Sequence, residues 1–250
     1  MYTPFSSPKY PRAPITEAVI ELRIATGLET VIIDKIAKRL KKRYDTQAPL
    51  QQVNLILDMT GSGTTAVQQQ NNGHRFATYD QADIALLTPV NLTTARLAPY
   101  PGWHAFQTMA RENWADWCSI APRHPISRVG VRYINRIDIP LPDDGIVQLE
   151  TYLTTHPRSE ILERPLTGFM VQAQFDAFLP KWVATLTTAP LTPHPVPNHF
   201  SLLLDIDVSR TQDIPEKSDE MWTMINEAQT IKNDLFERAL TPATKEFFRE

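Results

Sequence analysis

The chain has 250 residues, 42% hydrophobic and 21% charged, with 25 Lys and Arg set against 28 Asp and Glu. That is enough apolar material for a full core, and a formal charge of -3 gives no general attraction to nucleic acid or to an anionic membrane. One cysteine, Cys118, excludes an intrachain disulfide and a cysteine-based zinc cluster.

Cys118 falls between Trp117 and Ser119 in a helical apolar stripe, so its thiol is expected to be buried. The first residues lack the apolar run of a signal peptide, and no segment has the length of a membrane span. A cytoplasmic setting without membrane contact is the expectation. Eight glycines are few and 21 prolines are many. Scarce glycine argues against a phosphate-cradling loop, which needs small residues where backbone meets ligand.

Residues 1–14, with four prolines and two tyrosines, read as an extended arm. Ala18, Ile20, Leu22 and Ile24 then alternate with Val19, Glu21 and Arg23, the period of a half-buried strand. From Leu28 to Tyr44, Ile32, Ile33, Ile36, Leu40 and Tyr44 follow a helical period. Strands are expected at 51–59, 73–79 and 83–97, with turns at Gly61-Ser-Gly63 and Asn71-Asn-Gly73. Pro99-Tyr-Pro-Gly102 stops the sheet, and Trp103, Phe106, Ala110, Trp114 and Trp117 form the stripe of a second helix.

A long strand over Val129–Ile139 opens the second half and echoes Ile15–Ile24. Val131, Tyr133 and Ile137 fall on one of its faces, and Arg132, Ile134 and Arg136 on the other. A short helix is expected at 146–156, then strands at 169–178, 182–188 and 200–208. The last long helix, 219–239, carries Trp222, Ile225, Ile231 and Leu235, and Thr241-Pro242 caps one more helical turn. The fold class is therefore α+β: two similar halves, each strand, helix, three strands, helix. These halves, 15–122 and 123–250, would form one or two antiparallel sheets backed by the long helices, packed as one globular unit.

Three constellations carry charge. Lys35, Lys38, Arg39, Lys41, Lys42 and Arg43 form a basic strip on the first helix. Cations in the last turns complement the helix dipole, so the strip reads first as solvated surface. An acidic protein or nucleic acid is the functional alternative. Glu21 and Arg23 lie on the first strand, and Arg132, Asn135, Arg136 and Asp138 on the central one. They read as a cross-strand ion-pair lattice or, alternatively, as a ligand or partner site built on guanidinium forks. Asp205 and Asp207 share a strand face about 7 Å apart by strand geometry, without a third metal ligand in view. The six histidines show no ligand spacing, and nucleophile elbows, Walker loops and dinucleotide fingerprints are absent.

Four motifs in order carry a resemblance. They are Pro14-Ile-Thr-Glu-Ala-Val-Ile-Glu-Leu-Arg23, Leu97-Ala-Pro-Tyr-Pro-Gly-Trp-His-Ala-Phe106, Arg128-Val-Gly-Val-Arg-Tyr-Ile-Asn-Arg136 and Ile225-Asn-Glu-Ala-Gln-Thr-Ile-Lys-Asn-Asp-Leu-Phe-Glu237 with Thr241. Over nearly the whole length the chain resembles a sporadically distributed prokaryotic family without an assigned activity. Gln229 stands where that family tends to have His, which puts a catalytic role for the position in doubt. The scattered occurrence implies an accessory, partner-binding role in phage defence or toxin–antitoxin systems.

The expected function is a non-catalytic cytoplasmic binding or regulatory protein with a protein partner and no cofactor or metal. Homo-oligomers are compatible with it. The alternatives are a small-ligand receptor or enzyme on the Arg132/Arg136 face with Glu21, and a nucleic-acid binder through helix 28–44.

Overall fold

The computed structural model describes residues 10–56, 66–157 and 168–249. Strand β1 is Ile15–Ile24, followed by helix α1 (Thr30–Leu40) and strands β2 (Thr46–Ile56), β3 (Ala66–Ala77), β4 (Asp83–Leu87) and β5 (Asn91–Leu97). Helix α2 (Trp103–Cys118) leads into β6 (Ile126–Pro140), then β7 (Val171–Asp176), β8 (Trp182–Pro190) and β9 (His199–Arg210). Helices α3 (Ser218–Ala239) and α4 (Pro242–Glu246) end the chain. Among the described residues the nine strands form one antiparallel sheet, in the order β2-β3-β4-β5-β1-β6-β9-β8-β7. The α+β class is as expected, and the open choice between one sheet and two resolves to one.

The chain divides into two compact units. One takes residues up to Ile20, Ala98–Tyr100 and everything from Arg128; the other takes Glu21–Leu97 and Pro101–Ser127. In the second of these, Ile33, Ile36, Ala37 and Leu40 of α1 are buried, as are Phe106, Ala110, Trp114 and Trp117 of α2. The stacked indoles of Trp114 and Trp117 lie 4.5 Å apart. Asn113 is fully buried; its Nδ2 donates to Tyr44 Oη at 2.7 Å and Thr94 Oγ1 at 3.0 Å, while its Oδ1 has no hydrogen-bond partner among the described residues.

Four sequence expectations fail in informative ways. The expected strand 83–97 is a hairpin, β4–β5. Pro89 has no amide to give a ladder, and Thr88 Oγ1 accepts from the amides of Val90 and Asn91 to build the turn. The first half therefore has four strands after its helix rather than three. Asn71-Asn-Gly73, expected as a turn, lies inside β3. Gly73 sits at φ +147°, where a Cβ would collide with the Leu87 carbonyl, so the glycine serves a close strand approach. The expected helix at 146–156 is only the 3-10 turn Leu149–Thr151. Cys118, the last residue of α2, is exposed rather than buried, because the helix ends before its stripe returns to the core. Residues 57–59 of the expected second strand and Gly61-Ser-Gly63 lie outside the described residues.

In the other unit burial along β6 alternates from Val131 to Ile139. Val129, Val131, Tyr133, Asn135, Ile137 and Ile139 are buried, and the β9 partners of the middle four, Val208, Ile206, Leu204 and Leu202, are fully buried with them. Helix α3 presents the expected stripe, with Trp222, Ile225, Ile231 and Leu235 all buried. Trp182 of β8 donates its indole N–H to Glu227 of α3 at 2.9 Å. At the chain end Thr241 caps α4 by accepting from the Thr244 amide, with Pro242 at the first helical position. The described part of the N-terminal arm docks here: Tyr10 packs edge-on against Phe236 and Phe248 and donates to Glu237 at 3.0 Å.

Candidate functional site

The two sides of β6 hold different chemistry. On the side away from α3, arginines lean along the strand to aspartates, Arg128 and Arg132 to β9 and Arg136 to β6 itself. Arg132 is opposite Asp207 in register but bonds Asp205, with Nε–Oδ1 at 2.8 Å and Nη2–Oδ2 at 2.5 Å. Arg128 donates to Asp207 at 2.9 Å, its guanidinium lying over Gly130, where any Cβ would press on it. Arg136 donates to Asp138 at 3.0 Å, and Ser201 Oγ donates to the same carboxylate at 2.6 Å. The bidentate bond to Asp205 raises the Arg132 pKa further, against the opposing pull of burial. Asp205 and Asp207 are both engaged by arginine, so their spacing serves ion pairs. Among the described residues no group of three or more His, Cys, Asp and Glu side chains is arranged to hold a metal.

The candidate residues that the sequence groups together fall on both sides of β6 and on β1. Arg132 and Arg136 share this lattice, whereas Asn135 stands on the opposite side, buried, donating to the Leu204 carbonyl at 3.0 Å. Glu21 and Arg23 belong to the other compact unit and pair with each other at 2.9 Å.

The basic strip of α1 also separates. Arg39 and Arg43 both reach Asp116 of α2, at 2.9 Å and 2.8 Å, and Arg43 pairs with Glu112 as well. Burial pushes the Asp116 carboxyl up, but the hydrogen bonds from Arg43 and Arg39 outweigh it and hold the pKa below its ordinary value. Lys35, Lys38, Lys41 and Lys42 are exposed, and none makes an ion pair among the described residues.

On the α3 side of β6 lies a group that sequence reasoning passed over. Lys232 is buried, and its Nζ stands 3.8 Å from the centroid of the Tyr133 ring. Tyr133 and Tyr100 share a hydrogen bond between their hydroxyls at 2.7 Å, their rings edge to face. Burial pushes Tyr100 up to about 12 and Tyr133 well above its ordinary value, so both phenols are neutral at physiological pH. Burial pulls the Lys232 amine down to about 7, with Glu237 opposing. The signal was present in the sequence: Lys232 falls seven residues after Ile225 and four after Ala228, in phase with the apolar stripe. No helix among the described residues is long and apolar enough to cross a membrane. No protein-family model matches the sequence, and comparison with curated proteins finds no match either.

Proposed function

We propose that the protein is a non-catalytic binding or regulatory module that recognises an extended segment of a partner protein along the outer edge of β7. The observation that carries this reading is an open edge with apolar flanks. β7 pairs with β8 on one side and, among the described residues, with no strand on the other. Met170, just before it, is 73% exposed, and Phe175 within it is 37% exposed. An unpaired row of amides and carbonyls is matched by another extended backbone, and apolar side chains beside it favour a partner that buries them. The arginine lattice supports the same choice, since guanidiniums already engaged by carboxylates offer a newcomer little. We place the partner in the cytoplasm, in a phage-defence or toxin–antitoxin pair, as the sequence resemblance implies.

We also read the chain as a duplication. What supports it is that β1 stands beside β5 and β6 beside β9, so each half's first strand adjoins the last strand of its own meander. A second reading, recognition of a polyanion through α1, is favoured by one specific observation: four exposed lysines without ion pairs on a single short helix and the turn that ends it.

The test of the edge reading is quantitative co-purification from the native host with the parent chain and with Met170→Glu/Phe175→Glu. The expected result is a partner recovered with the parent and reduced at least tenfold with the variant, both chains remaining folded by circular dichroism. Equal recovery with both, or no partner with either, overturns it. A parent that sediments as a dimer while the variant is monomeric gives the edge to a second copy instead.

A further inference from the structure

The connection between β8 and β9 is rich in proline. Pro190, Pro193, Pro195 and Pro197 have no amide to donate, so the loop has few backbone donors with which to hold itself. At its start the Leu191 amide donates to the Ser201 carbonyl at 2.9 Å, and at its end the Asn198 carbonyl accepts from the Leu141 amide at 3.0 Å. In the middle the tie is a side chain. His194 Nδ1 accepts from the Ser201 amide at 3.1 Å, and its ring lies against Phe200 with centroids 4.8 Å apart. Ser201 is fully buried, so its amide depends on that acceptor.

The partner fixes the role of the ring nitrogen. A backbone N–H can only donate, so Nδ1 of His194 carries no proton and the imidazole is neutral. His199 is the opposite case. Its Nδ1 meets the Pro197 carbonyl at 2.8 Å, which can only accept, so there Nδ1 carries the proton. A second proton on His199 enters at Nε2 and leaves its bond in place. On His194 the second proton enters at Nδ1 and sets two N–H groups against each other.

The charged groups around the loop do not replace the lost acceptor. Asp138 of β6, opposite Ser201 in register, is engaged by Ser201 Oγ at 2.6 Å and by Arg136 at 3.0 Å. Asp143 and Asp144 follow Leu141 and are exposed, and Asp144 accepts from the Ile146 amide. Phe200 and its β6 partner Ile139 are uncharged.

We propose that His194 is a pH-operated latch on the β8–β9 loop. Neutral, it pins the loop to β9; protonated, it lets go of the Ser201 amide and frees residues 192–197, with their exposed Pro193, Pro195 and Pro197.

The test follows backbone amides of the full chain by NMR at about pH 5 and pH 8, the ends of the window in which histidine changes charge. Hydrogen-exchange rates are corrected for the intrinsic effect of pH. The expected result is protection of the Ser201 amide at least about tenfold lower at the acid end, with Leu204 and Ile206 of β9 unchanged. Nitrogen-15 relaxation should show Thr192, His194 and Val196 gaining fast motion at the same pH. His194→Asn offers an acceptor without a proton to take up, and His194→Phe keeps the ring contact without an acceptor. Either variant should remove the pH dependence, and His199→Phe should keep it. Equal Ser201 protection at both pH values overturns the proposal, as does a loop that stays rigid at acid pH. A fall shared by Leu204 and Ile206, or one that persists in both His194 variants, also overturns it. None of these readouts depends on the β7 edge, so the two proposals stand or fall separately.

Discussion

The two sides of β6 compare a charge that is matched with one that is not. On the side away from α3, Arg128, Arg132 and Arg136 each reach an aspartate, and their side chains remain 21–48% exposed. On the other side a single lysine is buried over an aromatic ring with no anion beside it. Partly solvated pairs of the first kind hold strands in register at small net gain. A buried, unmatched charge is a standing cost, which folding tolerates only where the rest of the core is strong. The number of charges on a strand therefore says little about its chemistry; what water and counter-charges leave unsatisfied says more.

The sharpest way to break the comparison is to remove the unmatched charge. Lys232→Met keeps the volume and deletes the amine, and is expected to stabilise the fold by several kcal/mol, at most about 5 kcal/mol, at pH 6. The sign follows from the lowered pKa. Between about 7 and the ordinary lysine value of 10.5 the unfolded chain binds more protons than the folded one, so parent stability rises with pH across that window. The advantage of methionine is thus complete below pH 7 and fades toward pH 10.5. Urea denaturation at pH 6, 8 and 10 checks it. A difference that does not change with pH means the amine is solvated in the folded chain.

The lattice side is expected to respond less, and in the opposite direction. Asp205→Ala removes the bidentate partner of Arg132 and is expected to destabilise by about 1–2 kcal/mol, because the half-exposed guanidinium regains water. A double-mutant cycle with Arg132→Ala should return a coupling of about 1 kcal/mol that shrinks in high salt. Coupling near zero would make the lattice a set of independent surface charges.

Much of this architecture was legible in the sequence, because period and burial agree wherever a strand or helix has one wet face. The stripes of α2 and α3 and the alternation of β6 are such cases. The failures have local causes. Thr88-Pro89 broke an apparently continuous strand through one side-chain turn, and Gly73 read as a turn when its role was room for a neighbouring carbonyl. The arginine lattice could be anticipated on its face but not in its pairing, since Arg132 bonds diagonally rather than to the residue opposite. Lys232 was missed because a lysine in an amphipathic helix is assigned to solvent by habit. Only the neighbours, Tyr133 from a strand about 100 residues away, make it unusual.

The α1 lysines complete the comparison, being unmatched like Lys232 but solvated. Lys38→Gln, Lys41→Gln and Lys42→Gln together are expected to change stability by under about 1 kcal/mol, most of it from lost interaction with the helix C-terminus. Arg39 and Arg43 are left in place, so their ties to Asp116 persist. If α1 meets a polyanion, the same triple variant should elute from a heparin column at clearly lower salt than the parent, with a shallower salt dependence of nucleic-acid affinity. Identical elution would assign the strip to ordinary solvated surface. A stability loss well above about 1 kcal/mol would mean that these lysines have buried partners, and that exposure, rather than pairing, was the wrong axis on which to separate them from Lys232.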